Sequence, residues 1–151
     1  MRLSFHSSRR DCALGLYPAH MGLEVGLRAA LVHVVSGDDT AIAMGSGDLE
    51  VLATPRVLAL CEAACVSALS DADLDSATTT VGTRVELEHF LALPVGETVT
   101  STASLVYVDG RLLRFEVVVT DDGDRLLARA QLTRVLVERE RFMQRVGRQH
   151  G

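Results

Sequence analysis

The sequence contains no lysine and no tryptophan, and aromatic residues make up only 4% of the chain. All 15 basic residues are therefore arginines, set against 20 acidic residues, and the net charge is −5. A broad nucleic-acid interface needs a basic surface and usually stacking aromatic side chains. The composition argues against such an interface, although a local arginine cluster could still bind one anionic ligand.

Long apolar runs and a cysteine framework are also missing. No stretch approaches the roughly 20 apolar residues of a membrane-spanning helix, and "MRLSFHSSRR" lacks the apolar core of a secretory signal. The three cysteines, Cys12, Cys61 and Cys65, are an odd number without metal-ligand spacing, and the five histidines are scattered. We therefore expect reduced thiols, a cytoplasmic protein, no membrane association and no bound metal.

The organisation along the chain indicates one domain. Residues 1–26 show no steady period and are predicted to be a poorly ordered extension, followed by a domain over 27–143 and a tail over 144–151. "LRAALVHVV" and "TAIAM" are predicted to be strands, and residues 55–69 an apolar helix. Further strands are expected at 78–90, 97–108, 111–120 and 125–137, with Asp-Gly hairpins in "VDGR" and "TDDGD". "ERERFMQRVG" is predicted to be a short exposed helix.

These elements predict a strand pair, one helix and a four-stranded antiparallel meander. A helix that is apolar almost all round must be covered on most sides, which a curved sheet and a second subunit would do. The sequence therefore predicts an α+β protein of hotdog fold, with one long central helix wrapped by a curved antiparallel β-sheet.

Three polar residues interrupt faces that should be apolar. Glu62 lies among apolar helix neighbours, and Arg134 shares its strand face with Leu and Ala residues. Strand alternation from Val81 places His89 on the inward face as well. Since a buried charge needs a partner, an acid, an imidazole and a guanidinium would suit one common site.

Each residue also has a plain structural interpretation. Glu62 could cap backbone donors or pair with an arginine inside a dimer interface, and His89 could be a satisfied core or interface residue. Arg134 could extend to the sheet edge, and Thr54 could simply cap the helix that starts at Pro55.

The chain resembles the hotdog thioesterases, specifically the fluoroacetyl-CoA thioesterase-like family, over about residues 27–143. The resemblance rests on "VLATPRVLALCEAAC" and "VGTRVELEHFLALPVGETVTSTA", where a Thr, a Glu eight residues later and a Gly-Thr strand ending in His follow in order. It implies that Thr54, Glu62 and His89 are catalytic and that Gly82 and Arg134 lie next to the bound thioester. It also implies a homodimer, possibly a dimer of dimers, with the site at the dimer interface.

The segment before the helix departs from that family. Fluoroacetate-specific members carry an aromatic-rich lid there, whereas "AMGSGDLEVL" contains no Phe. The sequence therefore leaves the acyl group open while keeping the thioesterase chemistry.

The expected reaction is hydrolysis of an acyl-CoA or phosphopantetheine thioester, which needs no cofactor besides the coenzyme A carried by the substrate. Glu62 would attack the acyl carbon or activate a water, assisted by His89 and Thr54. Arg84, Arg139 and Arg141 are candidates for binding the phosphates. The alternatives are a non-catalytic acyl-CoA sensor, an enoyl-CoA hydratase, whose Asp-His motif is not found, and a structural dimerisation domain.

Overall fold

A computed structural model of the protein describes residues 22–148. The predicted extension over 1–26 lies outside the described residues as far as residue 21, and the predicted tail begins inside the last helix. In chain order the elements are β1 (Arg28–Val34), α1 (Ala41–Met44), α2 (Thr54–Ala68), β2 (Thr78–His89), β3 (Thr98–Asp109), β4 (Leu112–Asp121), β5 (Leu126–Glu138) and α3 (Arg139–Arg148). The predicted helix and the four later strands are thus present to within one or two residues of their expected ends, and "ERERFMQRVG" is the exposed helix α3.

One antiparallel sheet carries the fold, with strand order β1-β3-β4-β5-β2. The long helix α2 lies across one face of this sheet, chiefly against β1 and β3. It buries five small or branched side chains there: Val57, Cys61, Ala64, Cys65 and Ala68. A sheet with one covered face and one open face explains the alternating burial along β1 and β4. In β4, for example, Leu113, Phe115 and Val117 are buried, while Arg114 and Glu116 point outward.

The predicted strand in "TAIAM" is wrong, because these residues form the short helix α1. The hydroxyl of Thr40 accepts a hydrogen bond from the Ala43 backbone N–H at 3.2 Å. Gly45 ends the turn with a φ of 69°, a left-handed conformation that glycine adopts without steric cost. These two end signals outweigh the β-like pattern of a four-residue segment. The predicted strand pair is therefore also wrong, and β1 pairs with β3 instead.

The predicted four-stranded meander is correct only for β3, β4 and β5. The strand β2 pairs with β5 at the opposite edge of the sheet from β1. The "LPVGE" turn does not fold β3 back onto β2, because it is held against the end of β1. The Gly96 N–H donates to the Val35 carbonyl at 2.8 Å, and the Val35 N–H donates to the Glu97 carbonyl at 2.8 Å. The connection over 90–97 therefore crosses from the edge strand β2 to β3, which lies next to the opposite edge strand β1.

A β-bulge in β2 changes which side chains face the helix. Gly82 pairs with Arg134 of β5, but the next pair is Arg84 with Thr133, so Thr83 is an extra residue. Before the bulge, the even-numbered residues of β2 oppose the buried face of β5. After it, the odd-numbered residues do, and His89 pairs with the buried Ala128. The predicted inward positions of Val81 and Thr83 are therefore wrong, whereas that of His89 is correct.

Phe115 is 1% exposed and fills the core between the sheet and α2. Replacing it with alanine leaves a cavity, and we expect Phe115→Ala to lower the free energy of unfolding by about 3–5 kcal/mol. Val118 lies on the open face of the same strand, so Val118→Ala should cost less than about 1 kcal/mol. Urea unfolding of both variants checks this, and equal losses would contradict the assignment of the two faces.

Candidate active site

Glu62 faces β2 and β5 from the middle of α2, and it has a charged partner. Its Oε1 lies 3.2 Å from Nη1 of Arg134, whose side chain is 8% exposed. The Glu62 side chain itself is 39% exposed. In a single chain the Glu62 carboxylate is therefore more exposed to water than the sequence predicts. Arg134 reaches the edge strand β2 but does not extend into solvent there, because its guanidinium is buried and paired.

Gly82 is the position in β2 that allows Glu62 to come so close to the sheet. A Cβ atom at this glycine would lie 2.5 Å from Oε1 of Glu62, which is closer than a side-chain contact permits. Gly82 also pairs directly with Arg134 and precedes the bulge. The glycine predicted from the sequence thus adjoins both the acid and the guanidinium.

Thr54 and His89 form a second group at the start of α2. The Thr54 hydroxyl oxygen lies 2.9 Å from His89 Nδ1, and His89 Nε2 lies 3.0 Å from the Leu91 carbonyl oxygen. A carbonyl only accepts, so Nε2 carries the proton. In a neutral imidazole Nδ1 is then the acceptor, and Thr54 donates its hydroxyl proton to it. The expected N-cap role of Thr54 is wrong, because Ala53 is the cap and Thr54 is the first helical residue.

The two groups are separated within one chain. Thr54 and Glu62 are eight residues apart on α2, which corresponds to about 12 Å along the helix axis. The acid and the guanidinium predicted to share a site are therefore together, while the imidazole lies with the hydroxyl near the start of the helix.

An open cleft of about 370 Å³ surrounds Thr54 and His89. Most of its remaining walls are apolar and come from α1, the segment before α2 and the segment after β2: Ala41, Ser46, Val51, Leu52, Ala53, Pro55, Phe90, Leu91 and Ala92. An apolar acyl group is compatible with such walls, and the polar pair lies at one side of them.

The two cysteines of α2 do not supply a nucleophile. Cys61 and Cys65 are buried, and burial raises the pKa of each thiol to about 12. Since the thiolate is the reactive form, both side chains act as small core residues. This agrees with the prediction of reduced core cysteines, while Cys12 lies outside the described residues.

Of the three arginines suggested for phosphate binding, Arg84 lines a pocket on the open face of the sheet, and Arg141 lines a groove at the end of β5. Arg84 pairs with Glu86 on the open face of the sheet, and Arg139 donates to the Ser76 carbonyl at 3.1 Å. Arg141 lines a small groove at the end of β5 together with two further arginines and an aromatic ring: Arg111, Val137, Glu138, Phe142 and Arg145. The sequence analysis did not single out Arg111 or Arg145.

A buried acid that sequence analysis missed holds the start of α2. Asp39 is 3% exposed and pairs with Arg56 of α2 at 2.8 Å and with His33 of β1 at 2.6 Å. Burial alone would raise the pKa of Asp39, but hydrogen bonds from the Ser36 backbone and from His33 outweigh it and lower the pKa. "SGDD" carries the signal of a turn, and nothing in it distinguishes a buried aspartate from an exposed one.

Two further properties of residues 22–148 bear on the chemistry. No three side chains of His, Cys, Asp or Glu in this range come together so that they could hold a metal ion. None of the helices in the same part of the chain is long and apolar enough to span a membrane.

The model of the fluoroacetyl-CoA-specific thioesterase family, FlK, matches residues 35–140. The chain belongs to this family. Fluoroacetyl-CoA thioesterase FlK is 31% identical, with a TM-score of 0.78 over 84% of this chain and 97% of that chain. A threonine-to-serine mutant of FlK in complex with acetyl-CoA is 29% identical, with a TM-score of 0.78 over 85% of this chain and 100% of that one.

A hot-dog-like protein from Thermanaerovibrio acidaminovorans shares the fold at 24% identity, with a TM-score of 0.75 over 84% of this chain and 93% of that one. Among the curated proteins, none matches this sequence. The predicted family, the hotdog fold and the class of enzyme, a thioester hydrolase, are thereby confirmed.

The contact between Gly82 and Glu62 can be tested directly. A methyl group at Gly82 would displace the carboxylate, so Gly82→Ala should lower the rate of thioester hydrolysis about 100-fold if Glu62 acts in the reaction. A suitable control is Gly37→Ala, since a Cβ there meets nothing within 4 Å. The measurement is thiol release by both variants. Wild-type turnover by Gly82→Ala would show that the close approach is not needed.

Proposed function

We propose that this thioesterase hydrolyses small or medium acyl-CoA thioesters to the free acid and CoA, with Glu62 as the reacting carboxylate. The observation that carries the proposal is the placement of Glu62 against the bare backbone of Gly82, with one oxygen bonded to Arg134. The other oxygen, Oε2, is then available to a substrate lying along β2. Gly82 and Arg134 adjoin the bound thioester in this arrangement.

Two routes are consistent with this geometry. In the first, Oε2 attacks the acyl carbon, the C–S bond breaks, and CoA leaves as a thiolate that takes up a proton; water then cleaves the mixed anhydride. In the second, Glu62 removes a proton from a water molecule whose oxygen attacks the acyl carbon, and this proton is passed to the leaving sulfur. Backbone N–H groups next to Gly82 or at the start of α2 would stabilise the negative charge on the carbonyl oxygen.

Thr54 and His89 assist as one unit. Because Nε2 of His89 is held by the Leu91 carbonyl, Nδ1 is the nitrogen that exchanges a proton with Thr54. Since the hydroxyl donates its proton to the ring and keeps its lone pairs, it can accept a hydrogen bond from a water molecule and so orient it. The cleft around the pair, whose surface is about equally polar and apolar, would accept the acyl chain.

We further propose that the enzyme is a homodimer in which Glu62 of one protomer works with His89 of the partner subunit. About 12 Å of helix separates the two groups in one chain. β2 is an edge strand of twelve residues, which is a site for pairing with another strand. Val66, one helical turn after Glu62, is 53% exposed, and Val85 of β2 is 36% exposed. A second copy over this region would cover these apolar groups and remove water from Glu62. A dimer of dimers is compatible with it.

The decisive experiment is thiol release from a panel of acyl-CoAs of increasing length, including aromatic acyl groups. We expect turnover of at least one small or medium acyl-CoA by the wild type and a loss of more than about 1,000-fold in Glu62→Gln, because the amide neither attacks nor accepts a proton. The control is Glu86→Gln on the open face of the same region.

Near-wild-type turnover by Glu62→Gln would remove Glu62 from the mechanism. Tight acyl-CoA binding without turnover by either protein would instead identify a sensor.

The phosphates of CoA are proposed to bind the groove that Arg111, Arg141 and Arg145 line. The only acidic residue among those that line this groove is Glu138. Its carboxylate accepts hydrogen bonds from the backbone N–H groups of Glu140 and Arg141 and so caps the start of α3. The groove therefore presents the guanidinium groups of Arg141 and Arg145 beside a carboxylate that is already hydrogen-bonded to the backbone. It also lies only four residues beyond Arg134 on β5, about 13 Å along the strand, which an extended pantetheine arm can span.

Truncated substrates test this groove. We expect Arg145→Gln to raise KM for an acyl-CoA about tenfold, while KM for the same acyl group on N-acetylcysteamine, which has no phosphate, stays unchanged. Arg129→Gln, which changes an exposed arginine of β5 outside the groove, is the matched control. An equal effect on both substrates would show that the groove does not bind phosphate.

The cytoplasmic location stays part of the proposal, supported by the unpaired thiols of Cys61 and Cys65.

A further inference from the structure

We propose that Thr80 is a positioning residue for the thioesterase reaction: it fixes the guanidinium of Arg134, which in turn fixes the carboxylate of Glu62. This inference rests on the proposed role of Glu62. It goes beyond that role, because neither the family resemblance nor the sequence pattern assigns a function to Thr80.

The hydrogen bonds of Arg134 are directed mainly at Thr80. Nε of Arg134 donates to the Thr80 hydroxyl at 2.9 Å, and Nη2 donates to the Thr80 carbonyl at 3.1 Å. The third bond runs from Nη1 to Oε1 of Glu62 at 3.2 Å. Two parallel donors along one edge of a planar guanidinium set both its position and the orientation of its plane. The direction in which Nη1 points toward Glu62 is therefore determined by Thr80.

The register of β2 and β5 explains why position 80 has this role. Gly82 pairs directly with Arg134, and Thr80 pairs with Leu136 two residues along. Before the bulge, Thr80 and Gly82 share the face toward α2. The Arg134 side chain therefore lies diagonally toward Thr80, while the space above Gly82 is taken by the Glu62 carboxylate. The strand β2 therefore supplies both the hydrogen-bond acceptor for Arg134, at Thr80, and the space for the Glu62 carboxylate, at Gly82.

The burial of Arg134 makes this arrangement sensitive to the loss of a single hydroxyl. The residue is only 6% exposed, so a guanidinium N–H that loses its acceptor does not readily find water instead. Arg134 would have to rotate to recover a partner, and Nη1 would leave its place beside Oε1. The carboxylate of Glu62, which is partly exposed, would then sample several rotamers. Misplacement of a reacting group lowers the rate of the chemical step more than it lowers substrate binding.

The experiment compares Thr80→Val with Thr80→Ser in the full-length protein. Valine keeps the size and β-branching of threonine but has no hydroxyl, whereas serine keeps the hydroxyl. With an acyl-CoA that the wild type hydrolyses, we expect kcat of Thr80→Val to fall at least about tenfold with KM changed less than about twofold. Thr80→Ser should keep kcat within about threefold of the wild type. Thr79→Val, which removes a hydroxyl from the other face of the same strand, should leave both constants unchanged.

Several results would overturn the inference. Unchanged kcat in Thr80→Val, with or without a lower Tm, would give Thr80 only a structural role. Equal losses of kcat in Thr80→Val and Thr80→Ser would show that the hydroxyl is not the cause. If Thr80→Val does not fold, Thr80→Ala replaces it in the same comparison.

These assays distinguish a failure of the role proposed for Thr80 from a failure of the proposed function. An inactive Glu62→Gln together with a fully active Thr80→Val leaves the proposed function in place and removes the role of Thr80. Turnover of every tested thioester that is independent of Glu62 removes both.

Discussion

A guanidinium in the interior of a protein must be paired, and much of the site follows from how this fold meets that requirement for Arg134. Burying an isolated cation costs several kcal/mol, so it is retained only where acceptors surround it. Here the acceptors come from two different elements: Thr80 of β2 and Glu62 of α2. The ion pair thereby ties the central helix to the edge of the sheet that lies farthest from β1, against which the helix mainly packs.

The start of the helix is held by a second ion pair, whose acid is buried. Asp39 connects the chain after β1 to Arg56 in the first turn of α2, and its backbone carbonyl accepts the Ala53 N–H at 2.9 Å. Thr54 follows Ala53 directly, so its position relative to the cleft depends on this anchor. The helix segment from Thr54 to Glu62 is therefore held by an ion pair near each end, one at Arg56 and one at Glu62. Neither pair is formed by residues adjacent in sequence.

Local patterns in the sequence were sufficient to predict most secondary structure and the unusual residues, but not the topology. Alternation and Asp-Gly turns located β3, β4 and β5, because both signals depend on neighbouring residues alone. β2 lies beside β5, and the 96–97 turn is hydrogen-bonded to Val35; both contacts join residues distant in sequence, which no local pattern encodes. α1 was mistaken for a strand because four residues are too few to show a period. Local patterns could not show that Thr54, Glu62 and His89 act in one reaction. That prediction came from the resemblance to a thioesterase family.

The bulge at Thr83 determines which residues of β2 face the helix on each side of it. Gly82 and His89 are seven positions apart, so in a regular strand they would point to opposite sides of the sheet. The one extra residue restores agreement, and both positions oppose buried residues of β5. Amino-acid replacements between these positions leave that phase intact, whereas loss or gain of a single residue would invert everything on one side of it. Among homologues, the residues between Gly82 and His89 should therefore vary more freely in side chain than in number, and any insertion tolerated there should come in pairs.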